Sequence, residues 1–524
     1  MIKQMKKFKI IILTAVCLIS ASSCKKYLDV NTNPNAPQSV TANLYLAPML
    51  HWMVTSPQYD ARFINRYTQN MTSTSSGTTW DLQGYDKASD NGAELWRDVY
   101  WSLGQNLVDM MTKSEAEQRW DLLGVGYILK AWGWLSLTDI HGEIIIKEAF
   151  DPTRVTFDYD SQEYAYTEVI RLLNLAITNL QRTDGAVNAA FLGQTDIIYH
   201  GDRTKWLKFA YGLLGMTLNH YSNKSTYKPA DVIAAIDKSF TSNIDDALLA
   251  YTGVSNDDKN FLGNTRNNMA SYRQTAFIVN LMNGGAFGVP DPRMTRMLSP
   301  SPDGQYRGLV TGSGTAGFNA TTTPDNIWGT VGSAPKTGTQ VIYLFDDKSH
   351  LPIMTYSQLQ FIKAEAAFRM GDKTTALAAY SAGISSHIDF VNARNLDNNQ
   401  TPTQISAAEK AAFMSAPTII PTAANLTLTQ IMCQKYIAEW GWAPCETWMD
   451  LRRYHYTDVD PATGNQVFVG YTFPTTLYAD NNGLPAYRIR PRYNSEYVWN
   501  VPGLTAIGGL APDFHTKMTW IVQP

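Results

Sequence analysis

The side chains able to do chemistry are not arranged for catalysis. Eight histidines are scattered without the spacing of metal ligands, and no Gly-x-Ser-x-Gly elbow, phosphate-binding loop or His-Glu-x-x-His pattern occurs. Gly312-x-Gly314-x-x-Gly317 has the letters of a dinucleotide fingerprint, but no apolar strand leads into it and no amphipathic helix follows. Asp139 and Glu143 are candidates for paired carboxylates in glycoside hydrolysis. They fall near the end of a predicted helix, where solvated or capping carboxylates are usual. No catalytic residue, metal site or cofactor is therefore expected. The chemistry that remains is recognition. Aromatic residues make up 12% of the chain, with 14 Trp and 28 Tyr, more than an aliphatic core needs for filling. Aromatic faces exposed to solvent suit ligands with apolar faces and polar rims, sugars above all, although Trp and Tyr are equally common in cores.

The first residues carry an export signal. Lys3, Lys6, Lys7 and Lys9 precede an apolar run from Ile10 to Ile19 that ends in Ser20, Ala21, Ser22, Ser23 and Cys24. The run is shorter than the roughly 20 residues a membrane-spanning helix needs, and small residues follow it, as in a cleaved signal peptide over 1–23. Cys24 resembles the acylated cysteine of a bacterial lipobox, with Ala21 standing where Leu is usual. Removal of 1–23 takes the formal net charge from -3 to -7, which disfavours nucleic acid as a partner. The lipid is then the sole expected contact with the membrane. After Cys24 only Cys433 and Cys445 remain, so the chain is no disulfide scaffold; they are read as two buried thiols, with a single bridge as the alternative.

Residues 24–39 are polar and punctuated by Asn31, Asn33, Pro34, Asn35 and Pro37, and read as a tether. Residues 40–524 show no clean linker and read as one helical domain. Helical periodicity is predicted over 93–112, 121–140, 161–182, 202–222 and 230–240, and again over 356–370, 373–387, 406–414, 426–439 and 445–454. In the second segment Leu123, Tyr127, Leu129, Ala131, Trp134, Leu135 and Leu137 nearly encircle the helix, which predicts burial among other helices. Residues 284–348 are rich in Gly, Pro, Ser, Thr and Asn and read as a long loop insertion, a place for ligand or partner contact. The chain beyond Thr457 is again irregular. Ala364, Gly371, Asp372, Ala376, Tyr380 and Gly383 sit near the small and aromatic positions of a tetratricopeptide hairpin.

Several motifs in order resemble the SusD/RagB family of outer-membrane lipoproteins. They are Cys24-Lys-Lys-Tyr-Leu-Asp-Val-Asn31, Asp139-Ile-His-Gly-Glu143, Tyr159-Asp-Ser-Gln-Glu163, Gly201-Asp-Arg-Thr-Lys-Trp206, Lys363-Ala-Glu-Ala-Ala367 with Gly371-Asp372, and Glu446-Thr-Trp-Met-Asp-Leu-Arg-Arg453. Ile145 stands where the family usually has proline. The physical reading of these motifs is structural: Asp160 as a helix cap with Glu163 completing a capping box, Asp202 as a second cap, and Asp450, Arg452 and Arg453 in partly buried ion pairs. The resemblance implies a mainly α, tetratricopeptide-like scaffold with long loops, held on the outer membrane over a SusC-like TonB-dependent transporter. An oligosaccharide is the expected ligand, held by aromatics in irregular segments: Trp80, Tyr85, Tyr306, Phe318 and Trp328. The alternative for each is that it pins its own loop to the body. Competing functions are a peptide-binding member of the same family, an envelope adaptor without a small ligand, and a glycosidase.

Overall fold

The computed structural model describes residues 40–330, 341–397 and 403–524. The expected signal peptide, Cys24 and the tether lie outside them. The protein is mainly α, as expected. We number the principal helices α1 (Leu46–Tyr67), α2 (Gly104–Ala116), α3 (Trp120–His141), α4 (Gln162–Gln181), α5 (Arg203–His220), α6 (Pro229–Ile236), α7 (Ala276–Met282), α8 (Tyr356–Met370), α9 (Lys373–Arg394), α10 (Ala407–Met414), α11 (Leu428–Glu439) and α12 (Pro444–Arg453). Two antiparallel ribbons accompany them: β1 (Met71–Ser73) on β3 (Tyr272–Gln274), and β2 (Ala247–Ala250) on β4 (His350–Met354).

The helices form consecutive hairpins that lean on one another. α3 packs on α4, α4 on α5, α5 on α6, α6 on α8, α8 on α9 and α11, and α11 on α12, which returns to touch α1 and α3. Local chemistry sets these hairpins. The α8–α9 turn is made by Gly371, whose φ of +87° suits a residue without Cβ, and by Asp372, whose carboxylate accepts the Thr375 N–H at 3.0 Å. Ala364 and Ala376 are buried where the two helices meet. A Cβ on Gly383 would fall 2.9 Å from the Phe361 ring, so only glycine permits this approach. α3 is buried around most of its circumference and stops at Gly142, with φ +85°.

Of the two predicted caps, one forms and one does not. Asp202 caps α5, accepting the N–H groups of Thr204 and Lys205 at 2.9 and 3.1 Å. α4 is capped by Ser161 instead of Asp160, the hydroxyl accepting from Tyr164 N–H at 3.2 Å. Asp160 turns away to accept from the backbone N–H groups of Ile146 and Lys147. Two of these helices, α1 and α7, lie outside the predicted segments; α1 contains Pro57, which interrupts the pattern without breaking the helix. Within residues 284–330 and 341–348 the only helical piece is the turn Met294–Met297, in accord with a loop. That loop is nevertheless threaded through the body. Ile327, Trp328, Tyr343 and Phe345 are buried in a cluster of side chains running from Ala42 to Val522, and Leu309 is buried as well. Gly312, Gly314 and Gly317 make turns with positive φ, and the first two lie against residues 74–77. Cys433 and Cys445 are free thiols; only Cys433 is fully buried.

Candidate ligand-binding cleft

An aromatic cleft of about 460 Å³ opens where three segments meet. One wall is the short helix Glu94–Arg97 running into a π-helical stretch, Asp98–Leu103. Asp60 on α1 fixes its start, its carboxylate accepting from Glu94 N–H at 3.0 Å and Leu95 N–H at 2.8 Å. Burial pushes the Asp60 carboxyl up to about 7. The second wall, Ile145 to Phe150 with Phe157, follows α3 and is held by Asp160 and by Asn500, which exchanges hydrogen bonds with the Phe157 backbone at 2.9 and 3.0 Å. The third wall is Tyr493–Tyr497, contributing Ser495 and Glu496, with Arg492 just before it.

Trp96, Tyr100, Phe150 and Phe157 line the interior, and Trp101 stands at the rim with 67% of its surface exposed. Trp96 packs edge-on against His141, and Tyr100 exchanges hydrogen bonds with the Ile145 backbone at 2.8 and 2.9 Å. Phe150 keeps a φ of +68°, rare for a bulky residue, and its ring lies stacked 6.4 Å from that of Trp134. The Arg97 guanidinium sits 4.5 Å from the Trp101 ring centroid, covering one face. Arg492 pairs with Asp90 at 2.8 Å. Glu496 is buried and accepts from Tyr159 OH at 2.6 Å and Asn500 Nδ2 at 2.8 Å. Burial and the Glu496 charge hold the Tyr159 phenol well above its usual value. Ser495 Oγ and Arg492 Nε have no hydrogen-bond partner among the described residues. Both atoms are closed off from solvent by the surrounding protein, so the surface the cleft offers is chiefly aromatic, and its one carboxylate is already engaged.

The five aromatics singled out from sequence do not form this site. Trp80 is 1% exposed: its Nε1 donates to Asp86 at 2.8 Å and its ring packs on Phe63, Tyr67 and Tyr85. Tyr85 is buried beside it. Trp328 is fully buried, its Nε1 donating to the Leu262 carbonyl at 2.9 Å. A ring closed in by protein cannot stack on a sugar, so for these three the reading as solvent-facing platforms is corrected to loop anchors. Tyr306 and Phe318 are half-buried, with Tyr306 against the core, and neither lines the cleft. The structure joins Trp80 to Tyr85 and lays residues 74–77 against residues 312–315, but no ring contact among the described residues unites the five. Trp101 was missed because it lies inside a predicted helix. The available signal was its adjacency to Tyr100: consecutive helical residues point about 100° apart, so one packed inward turns the other out.

The family-signature residues instead build a buried ionic cluster. Lys435, fully buried on α11, places its ammonium 2.7 Å from Glu446, 2.8 Å from Asp450 and 3.5 Å from Glu439. These three carboxylates are close enough together to hold a metal ion, but the lysine already supplies the cation. Arg453 forks onto Glu365 at 2.8 and 2.9 Å and also reaches Asp450 at 2.6 Å. Arg452 departs from the expected ion pair: it donates to the backbone carbonyls of Asp139, Trp448 and Tyr487. Asp139 is buried rather than solvated, accepting from Tyr166 OH, with burial raising its carboxyl to about 6, while Glu143 pairs with Arg488. They face different partners and form no acid pair.

With this geometry in hand, relatives place the chain. Residues 34–474 match the profile of a SusD-like family described as starch-binding and associating with the outer membrane. A SusD/RagB family protein from Bacteroides thetaiotaomicron VPI-5482 superposes with a TM-score of 0.70 at 21% identity, over 92% of this chain and 99% of that one. A SusD homolog from Bacteroides fragilis NCTC 9343 does so at 0.68 and 18%, over 92% and 100%. A chitin-binding SusD homolog from Flavobacterium johnsoniae gives 0.65 and 20%, over 92% and 99%. No curated protein matches the chain. By the extent of the profile match and the shared fold, the chain belongs to the SusD-like family of outer-membrane-associated, starch-binding proteins.

Proposed function

We propose that this protein captures an oligosaccharide at the cell surface in the Trp101 cleft and passes it to a SusC-like TonB-dependent transporter. Acylated Cys24 is its anchor, and it performs no catalysis itself. The observation that carries this reading is the cleft: an exposed indole, Trp101, at the rim of aromatic walls formed by Trp96, Tyr100, Phe150 and Phe157. The family's starch-binding description and the chitin-binding relative support a glycan over a peptide. A binding role over hydrolysis is supported by Glu496, since glycosidases use a pair of carboxyls and this one is tied to Tyr159 and Asn500. No helix among the described residues is long and apolar enough to cross a membrane, which accords with a lipid as the link to it.

The test is calorimetric titration of the protein with starch- and chitin-derived oligosaccharides and with a peptide panel. A glycan ligand whose affinity falls about tenfold, about 1.4 kcal/mol, in Trp101→Ala is the expected result. Binding to peptides alone, or glycan binding that ignores Trp101, would overturn the assignment.

A further inference from the structure

Two of the fourteen tryptophans stay mostly in water, Trp101 and Trp499, the latter 74% exposed. The other twelve are buried or packed into the body. Indole is the largest apolar side chain, and leaving one in solvent forgoes the burial that stabilises the rest. Trp499 is also tied to the cleft on both sides. Its own N–H bonds the carbonyl of Ser495, which lines the cleft, at 2.9 Å. Its neighbour Asn500 clamps the backbone of Phe157, which lines another wall. Four residues of helix advance the chain by roughly 6 Å, on the scale of one sugar ring. Trp101 therefore stands on one wall, and Trp499 follows one helical turn after Ser495, just beyond the end of another.

We infer that Trp499 is a second stacking platform that extends the cleft, so that the site takes linear oligosaccharides and discriminates against mono- and disaccharides. This rests on the glycan reading of the cleft. Each platform holds a separate ring of one chain, and the contacts add only when the chain is long enough to reach both. Exposed aromatics on fixed backbone lose little entropy on binding, which suits them to this use.

The test measures affinities of the full-length protein for maltose through maltoheptaose and for chitobiose through chitohexaose, in wild type, Trp101→Ala, Trp499→Ala and Trp499→Tyr. In the series that binds, Trp499→Ala should weaken the longest oligosaccharide about tenfold and the disaccharide less than about twofold, with Trp499→Tyr restoring most of the loss. Trp101→Ala should weaken all lengths. Binding that depends on Trp101 while Trp499→Ala affects no length, or all lengths equally, overturns the second platform and leaves the glycan reading standing. Absence of binding by the wild type to either series overturns both.

Discussion

Replacing Lys435 with methionine isolates the buried cluster that joins α8, α11 and α12. The lysine is wholly enclosed, and its ammonium lies within 2.8 Å of Glu446 and Asp450 and 3.5 Å of Glu439. Methionine fills similar volume, so the loss is of charge rather than packing. Burial and the neighbouring acids push Glu439 up to about 8, so it is largely neutral at pH 7 and bears little of the change. Glu446 is held well below the usual carboxylate range, with the Lys435 ammonium the largest influence opposing burial, and its charge would lose that counterion. Removing one partner of a buried pair costs about 3–5 kcal/mol, a large share of a total stability of about 5–15 kcal/mol. Urea unfolding followed by tryptophan fluorescence should show that loss at pH 8. At pH 5 the gap should narrow, because carboxyls stripped of their cation rise in pKa and the folded state takes up protons the unfolded chain does not hold. A variant within about 0.5 kcal/mol of wild type at pH 8, or a gap indifferent to pH, would refute the reasoning.

Stability of the wild-type protein should itself fall between pH 6.5 and 8.5. Burial raises Asp60 and Asp98 to about 7 and Asp246 and Glu439 to about 8, so the folded state keeps protons there that the unfolded chain has released. His220, raised by Glu446 and Asp139 against its burial, acts in the same direction, its contribution lost as pH rises through the folded value. Denaturation midpoints should drop by at least about 1 kcal/mol equivalent over that range; a flat or rising profile would contradict it. Gly383→Val should lower stability by about 1–3 kcal/mol by wedging Phe361 away, measurable in the same unfolding assay. Trp328→Ala should cost about 3–5 kcal/mol of stability while Trp101→Ala costs under about 1 kcal/mol, the pair separating anchoring from exposed aromatics.

Helices whose periods were uninterrupted were legible in the sequence. α8 begins and ends where the periodicity put it, because Thr355 caps its start and Gly371 forces its end. α1 was hidden by Pro57, whose missing N–H is tolerated within the buried helix. The choice of Asp160 over Ser161 as a cap failed because two acceptors were adjacent and the tertiary backbone of Ile146 and Lys147 competed for one of them. Asp450 and Arg453 were readable as an ion pair, whereas Arg452 found carbonyls that only the folded chain brings near. The site was least legible. A tryptophan in a polar loop looks exposed in sequence, yet Trp80 and Trp328 are what hold their loops down. Trp101 falls within the predicted helix 93–112, where nothing but its adjacency to the inward-packed Tyr100 marks it as exposed.

The central claim is that the cleft between residues 96–101, 145–157 and 492–496 holds a sugar. A crystal structure of the protein with its tightest-binding oligosaccharide tests it most directly. A pyranose ring should lie on the exposed face of Trp101, within the aromatic walls of Trp96, Tyr100, Phe150 and Phe157. Sugar density elsewhere with this cleft empty would contradict it.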